Sequence, residues 1–397
     1  MEKKKSTRAR GGHQAVGQHG ASKKKSLRIF HTSDVHLGLK FTRSTYELAT
    51  QDALVAARIN TLATMVDLAN KNQCDLFVIA GDLFDTIRVT KKLVKAAAEV
   101  LRQCEGVVVT LPGNHDYLNT SDDELWSTFE EHLGEGHILL QSDDPCDLRR
   151  LDLNVVIYPG ICRSKHSEAN AIGWIKDAVE IDVGVVRIGV AHGSLDGLSP
   201  DFDGKYFPMT RAELENSGMH AWLLGHTHIR FPDKESGKGD RLFFPSVPEP
   251  DGFDCDHDGF AWIIDVQDNG NVSYESIQTG TFRFQRIDVV LNSENDFDQL
   301  RKQFKKMRPA QDLVKLSLSG RVPGDLFDSL ANLENELADC VFHLEMKSES
   351  MLREIDATEI DKEFTEGSFP HQLLRQLASE SDALAVQIAY ELIEENK

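Results

Sequence analysis

Apolar runs of four or five residues recur along the first half of the chain, and several break off in a carboxylate, an amide or an imidazole. Phe77-Val78-Ile79-Ala80 stops abruptly at Gly81-Asp82, the pattern of a buried parallel strand that hands a carboxylate to the rim of an α/β sheet. The same form recurs upstream, where a strand over Leu27–His31 leads to Ser33-Asp34-Val35-His36. It recurs again where Val107–Leu111 leads to Gly113-Asn114-His115-Asp116. Further strands are predicted at 153–158, 186–191 and 220–224, the last two ending at His192 and at Gly225-His226-Thr227-His228. Helical periodicity over about 46–72, 89–103 and 167–180 fills the intervals, giving a strand, loop, helix alternation.

From residue 241 the pattern shifts to short β segments, 241–245, 260–266 and 271–278, the last two joined by the hairpin signal Asp268-Asn269-Gly270-Asn271. Near 283 the composition resets. Strand-like runs at 287–291, 313–318 and 341–344 alternate with helical stretches at 295–306 and 324–338. Glu349–Gly367 is acidic and loosely patterned, and Phe369–Asn396 reads as two short helices, with Ser379-Glu380-Ser381-Asp382 interrupting them and offering a fresh N-cap. Leu373, Leu377, Leu384, Ile388 and Leu392 form an apolar stripe there, which either packs on the body or docks another chain. The expected fold is α/β: a two-sheet sandwich flanked by helices, with a small α+β capping domain and C-terminal helices. The boundaries read as a disordered basic arm over 1–26, a catalytic domain over 27–282, a cap over 283–348 and a helical segment over 349–397.

Charge is distributed unevenly. Residues 1–28 carry nine Lys or Arg against Glu2, a net +8 that leaves −28 on the remainder of a chain whose total is −20. The arm reads as a solubilising tail or a nucleic-acid contact. The acidic body argues against tight DNA binding by the isolated chain, so DNA contact is expected to be local, metal-assisted or supplied by a partner. No apolar run approaches the roughly 18 residues of a membrane span, and no apolar segment follows the Lys-rich start, so a cytoplasmic protein without membrane contact is expected. Cys74, Cys104, Cys146, Cys162, Cys255 and Cys340 are scattered, without a zinc-type pair, and read as reduced thiols.

The polar strand ends carry the chemistry. Asp34 and His36, one residue apart, can grip one ion, and His226 and His228 share that spacing. Asp82, with two oxygens, suits a bridging position, and Asn114 supplies a neutral oxygen to a second ion. Such mixed N/O ligation suits Mn, Fe or Zn better than Ca. Two ions roughly 3.5–4 Å apart clamp a phosphoryl oxygen and support in-line hydrolysis of a phosphate ester. Singly each motif is common; five in one order, each closing an apolar run, are not.

That ordered set, Asp34-x-His36, Gly81-Asp82, Gly113-Asn114-His115-Asp116, His192 and Gly225-His226-x-His228, resembles the calcineurin-like metallophosphoesterase family. The resemblance implies one metal on Asp34, His36, Asp82 and His228, and a second on Asp82, Asn114, His192 and His226. It implies that His115 stabilises the transition state or protonates the leaving alkoxide, and that Asp85 orients it; otherwise Asp85 caps a helix. Within the family, His31–Gly38, Ala80–Asp85, Pro245–Pro250 and Gly259–Trp262 are similar to the SbcD-type DNA repair exonucleases. This implies a DNA exonuclease and single-strand endonuclease, Mn2+ as the usual metal with Fe2+, Zn2+ or Mg2+ as substitutes, an SbcC-like coiled-coil ABC-type ATPase partner, and a homodimer. The alternatives are a phosphodiesterase or phosphatase for small esters, and a non-catalytic adaptor.

Overall fold

Residues 26–42, 46–119, 124–179, 184–201, 203–380 and 382–396 of the computed structural model are described below; residues 1–25 of the basic arm lie outside them. Two sheets carry the first 280 residues. The first contains parallel strands β1 (Ser26–Thr32), β2 (Leu76–Ala80), β3 (Val107–Leu111) and β4 (Ile138–Leu139). The second contains β5 (Cys146–Asp147), β6 (Val155–Gly160), β7 (Val186–His192), β8 (Ala221–Gly225), β9 (Arg230–Phe231) and β11 (Leu242–Pro245). In it β6, β7, β8 and β11 run parallel, and the edge strands β5 and β9 run antiparallel. Strands β10 (Ser236–Lys238), β12 (Phe260–Gln267) and β13 (Val272–Gln278) return to the first sheet, giving it the order β10-β13-β12-β1-β2-β3-β4.

Continuous apolar runs form these strands because both faces are covered. Phe30, Phe77 and Val109 of the first sheet and Ile157, Ile188 and Leu223 of the second belong to one buried cluster that spans both sheets. Helix α1 (Leu48–Lys71) adds Leu62, Met65, Val66 and Ala69 to that core, and α2 (Lys91–Leu101) adds Val94, Ala97, Ala98 and Leu101. Because β1, β2 and β3 are parallel, as are β7 and β8, the chain leaves each group at one common edge. The expected polar ends therefore share a rim.

Two helical readings change within the first 280 residues. The stretch 167–180 yields only the short α4 (Ile175–Ala178), because Ser167 bridges to Tyr206 and the Asn170 carboxamide caps the Ile172 N–H, which starts the turn late. Conversely, α3 (Glu124–Leu133) has no counterpart in the sequence reading; its Trp126 and Phe129 pack on Phe84. Helix α5 (Arg211–Asn216) precedes β8 and is closed by a capping box between Thr210 and Glu213.

Beyond residue 282 a separate core forms on a three-stranded parallel sheet of β14 (Arg283–Val290), β15 (Asp312–Pro323) and β16 (His343–Glu354). Helix α6 (Glu294–Phe304) crosses between the first two strands, and the expected 324–338 helix is divided at Ser329 into α7 (Gly324–Asp328) and α8 (Leu330–Ala338). The segment read as loosely patterned contains the end of β16 and α9 (Ala357–Glu363). Helices α10 (Phe369–Ser379) and α11 (Ala383–Glu394) follow, α11 capped by the Asp382 carboxylate. Glu249, buried, accepts from Thr61 of α1 and from the Thr281 and Phe282 N–H groups, tying the entrance of β14 to α1. No described helix is long and apolar enough to cross a membrane.

Candidate metal centre

The turns after β1 and β2 build one half of the site. Asp34, His36 and Asp82 all adopt positive φ (55°, 49° and 54°), and His226 at the end of β8 does so as well (88°). Non-glycine residues hold that conformation only where the surroundings enforce it, and the enforcing bonds are visible. The Asp34 N–H donates to the Gly81 carbonyl at 3.1 Å and the His36 N–H to the Asp82 carbonyl at 3.0 Å, stitching the two turns together. Gly81 sits at φ 90°, and a Cβ there would lie 2.1 Å from Nδ1 of His192, so a side chain at this position would expel the imidazole.

The second sheet brings the imidazoles. Nδ1 of His192 lies 2.8 Å from the Ala80 carbonyl, which can only accept, so Nδ1 carries the hydrogen. Nε2 then faces Oδ2 of Asp82 (3.2 Å) and Oδ1 of Asn114 (3.0 Å). Nδ1 of His226 also stands 3.0 Å from that Asn114 oxygen. Around the other lobe, Nε2 of His36 is 4.0 Å from Asp34 and 3.9 Å from Asp82, and Nε2 of His228 is 3.6 Å from Asp34.

Lone pairs facing oxygens need a positive charge between them. Both ring nitrogens of His36 and the amide nitrogen of Asn114 are buried without a hydrogen-bond partner. Three sets of ligand atoms, Asp34 with His36 and His228, Asp34 with Asp82 and His192, and His36 with Asp82 and His115, each lie within 4.8 Å of one another. The residues fit divalent cations with mixed N/O ligands.

Electrostatics agree. Burial alone would raise Asp34 and Asp82, but the surrounding imidazoles hold both well below the usual carboxylate range. Burial would lower His192, yet the Asp82 carboxylate pushes it up to about 9, so Nε2 faces Asp82 with a proton that a divalent cation would displace. His36 and His226 are pushed down to about 4, mainly by burial, and so offer neutral rings as ligands.

His115 and Asp85 are arranged differently from the expectation. Nδ1 of His115 bonds the main-chain carbonyl of Asp85 at 3.0 Å, whereas the Asp85 carboxylate stands 3.6 Å from Nδ1 of His36. The tight turn after Asp82 explains the exchange, because it turns the carbonyl toward His115 and the carboxylate toward His36. Residue 85 thus fixes His115 through its backbone, and no helix begins there for it to cap.

One residue without an assigned role in the sequence reading supports the whole loop. Asp116, fully buried, accepts from the Gly113 N–H at 2.7 Å and the Phe84 N–H at 2.9 Å, while its own carbonyl accepts from Trp126 at 2.6 Å. Burial and the nearby Asp82 charge push its carboxyl up to about 7. The His115 N–H in turn donates to Oδ1 of Asp82 at 2.8 Å. The signal available was an Asp closing Gly113-Asn114-His115-Asp116 beside an apolar strand.

Similarity to known proteins falls on the same strand ends. The profile of the calcineurin-like phosphoesterases matches residues 27–230, the span from β1 to the turn after His228. An uncharacterized metallophosphoesterase, YhaO of Bacillus subtilis, is 26% identical over 360 residues, covering 85% of this chain and 84% of its own. The DNA double-strand break repair protein Mre11 of Methanopyrus kandleri is 24% identical over 70% of this chain and 63% of its own. A subunit of the nuclease SbcCD from Staphylococcus epidermidis is 23% identical over 61% of this chain and 67% of its own. Among solved structures, a dimetal phosphatase from Danio rerio covers 64% of this chain and 99% of its own at 11% identity, with a TM-score of 0.34. Since the matched profile takes in every strand end that contributes to the cluster, the chain belongs to the calcineurin-like phosphoesterase family and is a metal-dependent hydrolase of phosphate esters.

Proposed function

We propose that this protein is a two-metal phosphodiesterase that cuts DNA, acting as a 3′-to-5′ exonuclease and single-strand endonuclease. The observation that carries the hydrolytic part is the ring of donors around Asp82. Asp34, His36, Asp82 and His228 would hold one ion, and Asp82, Asn114, His192 and His226 the other. Bound there, the ions, Mn2+ in this reading, would lower the pKa of water and offset charge growing on the phosphoryl oxygens. The chain's own contribution is positional. The Ala80 carbonyl fixes the His192 tautomer, and the Asp85 carboxylate faces the far nitrogen of His36. The Asp85 carbonyl accepts a hydrogen bond from the Nδ1–H of His115, which leaves the Nε2–H to give its proton to the departing oxygen as the P–O bond breaks.

DNA as substrate is supported by similarity to the Mre11 and SbcCD proteins, which their names describe as a repair protein and a nuclease. Residues 27–282 then form the catalytic domain and 283–348 the cap, whose last strand β16 runs on to Glu354 into the docking segment of 349–397. On α10 and α11 the exposed side chains of Phe369, Leu384, Ile388 and Leu392 offer an apolar face for an SbcC-like coiled-coil ATPase. A homodimer and a cytoplasmic location belong to the same reading. The test is an assay of the purified protein with Mn2+, alone and with the candidate ATPase, on labelled duplex DNA and on bis(p-nitrophenyl) phosphate. Cleavage of DNA supports the proposal; activity confined to the small ester with the ATPase present replaces it with a small-ester phosphodiesterase.

A further inference from the structure

Among the described residues four arginines sit over aromatic rings: Arg58 over Phe41, Arg211 over Phe231, Arg230 over Phe260 and Arg353 over Tyr390. Three are neutralised by a carboxylate, Arg58 by Asp251, Arg211 by Glu215 and Arg353 by Asp328 and Glu363. Among the described residues Arg230 has no carboxylate within 4 Å; its hydrogen-bond partner is the Ser276 hydroxyl at 3.3 Å. Arg230 is thus a cation seated over a ring with no carboxylate to neutralise it, in a chain with 64 acidic side chains against 44 basic ones.

Its position gives it a use. Arg230 lies two residues past His228, so their Cα atoms are at most about 7 Å apart. Phe260, the ring beneath it with its centroid 4.6 Å from the guanidinium carbon, opens β12. That strand runs antiparallel to β1 with Trp262 opposite His31, which brings Phe260 level with the turn that carries Asp34. Ile229, between His228 and Arg230, is 45% exposed and extends the same rim as an apolar contact. A guanidinium held over a ring and anchored at Nη1 by the Ser276 hydroxyl is preorganised, with further N–H groups to offer an acceptor, the arrangement suited to a phosphate.

We propose that Arg230 binds a substrate phosphate next to the one being hydrolysed, and that this contact selects a nucleic-acid strand over a lone phosphate ester. The assignment rests on the DNA phosphodiesterase reading and deepens it, since a nucleic-acid strand presents a neighbouring phosphate and a lone phosphate ester does not. Phe260 acts as the platform that positions the guanidinium.

The experiment uses the full chain with Mn2+ as wild type, Arg230→Gln, Arg230→Lys and Phe260→Leu, on a single-stranded oligonucleotide and on bis(p-nitrophenyl) phosphate. For Arg230→Gln the oligonucleotide KM rises about tenfold with kcat changed by less than about twofold. The slope of log kcat/KM against log salt becomes shallower by about 0.7, one phosphate contact on a single strand. Arg230→Lys keeps the charge and most of the salt slope, and Phe260→Leu raises KM by a smaller factor. The loss on the small diester is well below that on the oligonucleotide. Equal losses on both substrates overturn the proposal, as do an unchanged KM and salt slope in Arg230→Gln. A wild type that cleaves the small diester and not the oligonucleotide overturns the DNA reading itself.

Discussion

Nε2 of His192 stands 3.2 Å from Oδ2 of Asp82, and the two residues come from different sheets. Asp82 follows β2 in the first sheet, and His192 ends β7 in the second, so the site lies on the seam between the layers. Neither sheet alone assembles it.

Asp82→Ala removes a carboxylate that faces both His36 and His192, and metal affinity should fall by more than the roughly 10–100-fold that loss of an outer partner costs. His115→Ala should retain metal while kcat drops by about 10²–10⁴. Metal content after dialysis, measured beside activity, checks both; equal retention in the two variants contradicts the division of roles.

Metal should also stabilise the fold. Asp34 and Asp82 are both buried carboxylates in one small site, and an ion that binds only the native state adds about 2.7 kcal/mol at 100 times its Kd. Adding Mn2+ after EDTA treatment should raise Tm, and Asp82→Ala should abolish the rise. A Tm indifferent to Mn2+ in the wild type would speak against a built site.

Gly113 admits no side chain. A Cβ there would lie 2.2 Å from Oδ1 and 2.4 Å from the backbone nitrogen of Asp82. Gly113→Ala should cost about 1–3 kcal/mol by overpacking and displace Asp82, so activity falls further than stability explains. Urea unfolding together with a metal titration reports the two losses; wild-type metal affinity in this variant would show that the loop yields without moving Asp82.

His31 gives a pH dependence away from the ligands. Burial pushes it down to about 4 from an ordinary 6.5, and Nε2 donates to the Phe243 carbonyl at 3.1 Å. Its folded value lies below its unfolded one, so the unfolded chain takes the proton first. The contribution is flat above pH 6.5 and is lost as pH falls from 6.5 toward 4, by about 3 kcal/mol in all. His31→Gln keeps a donor without titrating, and its stability should fall less steeply over that window. Denaturant unfolding at pH 7 and pH 4.5 decides the matter, parallel losses in both proteins being the contrary result.

Much of this was legible along the chain. The runs ending at Asp34, Asp82 and Asn114 became β1, β2 and β3 with boundaries within a residue or two, because a strand buried on both faces needs an uninterrupted apolar run and a polar residue ends it. Helix α1 was similarly visible in its buried Leu54, Ala57, Leu62 and Met65. The short α4 was overread, since Ser167 spends its backbone on the Tyr206 segment, a partner that periodicity does not reveal. The residue types at the strand ends, and hence the metal chemistry, came from sequence by itself. Which atoms face one another did not. The carbonyl rather than the carboxylate of Asp85 on His115, the grip of Asp116 on Gly113 and Phe84, and an arginine left without a counter-charge beside His228 depend on turn geometry and on contacts between residues distant in the chain. A one-dimensional pattern records burial and chemical type, whereas direction is set only when the two sheets pack and the strained turns at Asp34, His36, Asp82 and His226 are locked by their neighbours.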